Sequence, residues 1–69
     1  MARVILGVRG MDTPDAASKV QTTLLGLDGV EQVDAGVDQQ ASVVYDASST
    51  TVMDFIRALR KIGFLAGME

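Results

Sequence analysis

The sequence predicts an α+β sandwich in the order β-α-β-β-α-β, a four-stranded antiparallel sheet with two helices on one face. Three observations carry this expectation. Short runs alternate apolar and polar residues with period 2. Between them, two segments repeat apolar residues at helical spacing, each preceded by a threonine and closed by a glycine. Only Asp38-Gln39-Gln40 separates the second and third alternating runs, a connection too short for anything but an antiparallel hairpin.

The first strand spans Arg3 to Val8, with Val4, Leu6 and Val8 on its core side. Gly10 punctuates it. Asp12-Thr13-Pro14-Asp15 is a helix start: Thr13 suits the N-cap, Pro14 the first helical position, and the carboxylates the positive end of the dipole. The helix is expected over Pro14 to Leu25, burying Ala16, Val20, Leu24 and Leu27, with Gly26 as its stop. After the Asp28-Gly29 turn, Val30 to Asp38 forms the second strand, with Val33, Ala35 and Val37 on one face. Ala41, Val43 and Tyr45 mark the core face of the third. Ser48-Ser49-Thr50 leads into the second helix, with Asp54 near its first turn. Its apolar stripe is Val52, Phe55, Ile56, Leu59 and Ile62, and Gly63 ends it. Phe64 to Met68 is a short last strand.

The order echoes itself at an offset of 37 positions. Thr13 to Gly26-Leu27 falls on Thr50 to Gly63-Phe64, and Val4 to Val8 on Ala41 to Tyr45. Two interleaved β-α-β units, the ferredoxin-like sandwich, produce such an echo.

At 69 residues the chain is expected to be one domain, residues 1–69. A domain of this size buries only about 60% of its unfolded surface, and many such domains lean on disulfides or a metal. Here there is no Cys and no His, so disulfides, thiolate ligands, imidazole ligands and imidazole bases are all excluded. Most nucleophilic and general-base chemistry goes with them. A net charge of −3 argues against nucleic-acid binding. No apolar run reaches the ~18 residues of a membrane span, and no signal-peptide pattern opens the chain, so a cytoplasmic protein is expected.

A few residues stand out as candidates. Asp12 and Asp15 can attract a hard cation, but two carboxylates alone make a poor site, and dipole compensation explains them more simply. Arg57 and Lys61 lie four apart on one helix face with Arg60 beside them, a cationic cluster suited to an acidic partner, or merely a solvated helix end. The open sheet face is expected to carry Arg3, Ile5, Gly7, Gln32, Ser42 and Val44. It lacks the stacking aromatics of an RNA-binding sheet. Ile5 and Val44 on neighbouring strands suit a weak dimer or partner contact.

Several landmarks fall in a familiar order. Gly10-Met11 closes the first strand, a helix follows at once, then come Leu27-Asp28-Gly29-Val30, a valine-rich hairpin ending in Tyr45-Asp46, and Gly63-Phe64. The chain resembles the heavy-metal-associated domain of copper chaperones, mercury-binding proteins and metal-pumping ATPase amino-terminal domains. In that family the loop reads Gly-Met-x-Cys-x-x-Cys and two thiolates hold the metal. Here Thr13 and Ala16 occupy the two cysteine positions, and a hydroxyl and a methyl do not replace soft thiolates. The resemblance implies that Met11 anchors the loop from below. It also implies that Phe64 sits against the loop, packing on Met11 and Ala16.

The expected function is a non-enzymatic interaction or regulatory module without metal or other cofactor. Its expected partner is a protein with a heavy-metal-associated-like or acidic surface, and its own state a monomer or weak dimer. The alternative is a copper-type binding or transport protein with non-cysteine ligands around Met11, Asp12 and Asp15. A hydrolase of the same fold, resembling acylphosphatase, needs an Asn that this chain lacks.

Overall fold

The computed structural model describes residues 1–68. Its elements run β1 (Ala2–Arg9), α1 (Pro14–Leu25), β2 (Val30–Ala35), β3 (Gln40–Tyr45), α2 (Val52–Lys61) and β4 (Leu65–Met68). They form one antiparallel sheet in the order β2-β3-β1-β4. The architecture is the ferredoxin-like sandwich that the alternation and the short hairpin predict.

The sheet register follows from which side chains must be covered. Val4 faces Val43 and Leu6 faces Ala41 across β1 and β3, while Val33 faces Val43 across β2 and β3. These join Val20 and Leu24 of α1 and Phe55 and Leu59 of α2 in one core. The Phe55 ring meets Tyr45 edge-on at 4.9 Å between centroids. Between Val30 and Gln32 the β2–β3 register shifts, leaving Glu31 as the extra residue of a bulge.

Several expectations need correction. The second strand stops at Ala35 rather than Asp38, and Val37 is exposed in the turn. The turn closes early because the Gly36 amide donates to the Gln40 carbonyl at 3.1 Å. In α1 the buried face is Ala17, Val20 and Leu24; Ala16 and Leu27 are half-buried at its margins. In α2, Phe55 and Leu59 are buried, but Ile62 is 41% exposed, because the helix ends at Lys61 before the stripe returns to the core. The N-cap of α2 is Thr51, one residue beyond the Thr50 that the echo sets against Thr13. The internal echo therefore slips by one residue at the helix starts. Thr50 is instead buried, and its hydroxyl donates to Asp54 Oδ2 at 3.1 Å, which also accepts from the Thr51 amide at 3.2 Å. The last strand begins at Leu65, because the Phe64 amide turns back to the Leu59 carbonyl at 2.9 Å.

Gly26 caps α1 in ordinary right-handed geometry, and the tight reversal falls on Gly29, at φ +88°. A Cβ on Gly29 would lie 2.7 Å from the Cβ of Ser49, so the residue is required by both backbone and space. Opposite it, Asp46 organises the approach to α2. Its Oδ1 accepts from the Ser48 hydroxyl at 2.7 Å and the Ser48 amide at 3.0 Å. These two bonds hold its carboxyl below the usual carboxylate range.

Candidate functional site

The loop between β1 and α1 is shaped by its own residues and by the β2–β3 hairpin. Gly10 sits at φ +95°, and its Cβ position faces the Phe64 ring at 3.5 Å. The Met11 amide donates to the Val8 carbonyl at 3.3 Å, which drives the Met11 side chain inward to 0% exposure. From the hairpin, the Gln39 carbonyl accepts from the Val8 amide at 2.8 Å and Gln39 Oε1 from the Gly10 amide at 3.4 Å. Gln39 adopts φ +64° to do so. Nothing in the sequence marks it, since Gly, Asn or Asp is the usual signal for that conformation.

Beyond Met11 the chain exits to solvent at Asp12 and enters the helix at Thr13. Thr13 is extended (φ −128°, ψ 157°), and its Oγ1 accepts from the Ala16 amide at 3.2 Å. Its carbonyl takes the first helical bond, from Ala17 at 3.0 Å. Pro14 and the exposed Asp15 complete the first turn.

The structure thus places Met11, Thr13, Ala16 and Phe64 about one loop. Met11 is wholly buried, and Ala16 and Phe64 are half-buried against the core. Asp12 and Asp15 point to solvent. This donor set does not fit the soft metals of the resemblance. The hydroxyl at position 13 is engaged as a cap, position 16 offers a methyl, and the thioether of Met11 faces the core. Among the described residues, no three of His, Cys, Asp and Glu converge as metal ligands.

The cations Arg57, Arg60 and Lys61 are all exposed on α2. Arg57 and Lys61 line a groove of about 580 Å³ between α2 and the end of α1, together with Thr23, Leu27, Ile62 and the carboxylates of Asp28 and Asp54. Sequence reasoning missed this groove because it placed Ile62 in the core. No helix among the described residues is long and apolar enough to cross a membrane.

The fold has close counterparts. The copper binding domain of HMA7, a P-type ATPase, superposes with a TM-score of 0.95 at 24% identity, covering 100% of this chain and 95% of that one. At that identity the likeness is one of fold. Oxidized MerP from Ralstonia metallidurans CH34 gives 0.94 at 26% identity, covering 99% and 96%. The CopZ metallochaperone gives 0.90 at 31% identity, covering 96% and 100%. No curated protein matches the sequence at a significant level. The family profile of the heavy-metal-associated domain matches residues 5–64, nearly the whole described chain. On that match, and with neither cysteine nor histidine in its sequence, the chain belongs to the heavy-metal-associated domain family.

Proposed function

We infer that this chain, acting as one domain over residues 1–69, is a non-enzymatic interaction or regulatory module that keeps the family scaffold without carrying metal. The observation that supports the reading is the engaged loop. Thr13 and Ala16, at the positions where the resemblance puts cysteines, are joined to each other by the helix cap. The related solved proteins are named for copper binding and metallochaperoning. What this chain shares with them is the fold. Its docking group is the exposed cationic cluster Arg57, Arg60 and Lys61, three of the six basic residues in a chain of net charge −3. Charge complementarity points to an acidic protein surface, such as a related domain, in a cytoplasmic setting. A cargo role centred on Met11 needs the loop to open, because that side chain is fully buried.

The test is a Cu(I) and Zn(II) titration against competing chelators. Neither metal should be retained against a chelator of micromolar affinity, and EDTA should leave the melting temperature unchanged. A sub-micromolar constant for either metal, or a melt that moves by several degrees, overturns the metal-free reading.

A further inference from the structure

We propose that β4 is a self-association edge, through which two copies pair antiparallel about a two-fold axis at Ala66 and join their sheets. The two edges of the sheet differ in kind. β2 carries exposed Glu31 and Asp34 and a bulge, the usual defences of a free edge. β4 is shorter, at four residues, but carries neither a charge nor a bulge. From Gly63 to Met68 the chain holds no charge and no proline, and Leu65 is 58% and Met68 67% exposed. In a chain of net charge −3, this edge is where two copies can approach without setting like charges against each other.

The register follows from the faces. Leu65 pairs with Arg9 and Gly67 with Gly7, which puts Leu65 and Gly67 on the open face; Ala66 pairs with the buried Val8 and faces the helices. Directly opposed residues of an antiparallel pair share a face, so Leu65 must meet an open-face residue of the second copy. An axis at Ala66 sets each Leu65 opposite the other copy's Gly67. That glycine has no positive φ, and nothing lies within 4 Å of its Cβ position. The bare backbone there receives the leucine, twice over by symmetry, and the contact is self-complementary. A four-residue edge falls well short of the roughly 1,200 Å² of a stable interface, so the dimer is weak and concentration-dependent.

Sedimentation velocity over rising concentration tests this. The weight-average mass should climb from 7.3 kDa towards twice that value. Leu65→Lys should hold it at the monomer mass with an unchanged circular dichroism spectrum, while Glu31→Lys on the other edge should leave the association intact. The register has its own test, since the chain has no native thiol. An equal mixture of Leu65→Cys and Gly67→Cys chains should oxidise to a covalent dimer much faster than either variant alone. A parent chain that stays monomeric to millimolar concentration overturns the proposal, and so does a Leu65→Lys variant that associates like the parent. Equal cross-linking in the mixture and in the single variants overturns the axis at Ala66.

Discussion

The hydroxyl of Thr13 and the backbone amide of Ala16 share a hydrogen bond of 3.2 Å at the first turn of α1. In the family motif these two positions carry the metal-holding cysteines. Here the same juxtaposition closes on itself: one position supplies the acceptor and the other the donor. Thr13→Ala removes the acceptor and leaves an amide of the first turn without its cap. The expected cost is about 1 kcal/mol, a fall of roughly 4–8 °C in melting temperature, and Thr13→Ser should recover most of it. Thermal melts of the three chains decide it; a Thr13→Ala chain as stable as the parent removes the cap from the explanation.

Much of this site was legible in the sequence. Asp12-Thr13-Pro14-Asp15 states a helix start in residue chemistry alone, and α1 begins and ends at the residues expected, Pro14 and Leu25. The alternation of Val4, Leu6 and Val8 fixes which face of β1 is covered. What escaped was decided by tertiary packing. Val37 continues the period of β2 on paper, but the turn bond from Gly36 to Gln40 takes it out of the sheet. Ile62 continues the stripe of α2, yet the helix has already ended. Thr50 and Thr51 are adjacent and chemically alike, and only burial tells which one caps the helix. Gln39 gave no signal, because its left-handed turn is held by bonds to β1, distant in sequence.

The core assignment separates buried from exposed members of the same stripes. Leu24 and Leu59 are both at 0% exposure, so either truncation to alanine should cost about 2–5 kcal/mol. Ile62→Ala, in the exposed seam between the helices, should cost well under half as much. Urea denaturation with unchanged slope is the appropriate measurement. Similar costs for Ile62→Ala and Leu59→Ala would contradict the placement of Ile62 outside the core.

The acid limb of the stability curve should carry the signature of Asp46. Its carboxyl is held below the usual range chiefly by the Ser48 hydroxyl and next by the Ser48 amide. A depressed folded-state pKa means that folding favours the ionised form. The contribution is complete above the unfolded carboxylate range near pH 4, and it is lost as pH falls through the lowered folded value. Asp46→Asn should therefore be less stable than the parent at neutral pH, and the gap should close below about pH 4. A gap that stays constant from neutral pH to pH 2 would assign the difference to packing instead of charge.

Copper affinity of the double variant Thr13→Cys with Ala16→Cys bears most directly on the claim that the family frame persists here with only its ligands replaced. The positions already lie within one hydrogen bond of each other, on a loop fixed by buried Met11 and by Gln39. The expected result is tight, thiolate-dependent Cu(I) binding under reducing conditions, against none for the parent, with amide resonances outside the loop unchanged. A double variant that binds Cu(I) no better than the parent would contradict the claim, and would show that the loop has left the metal-holding geometry along with the cysteines.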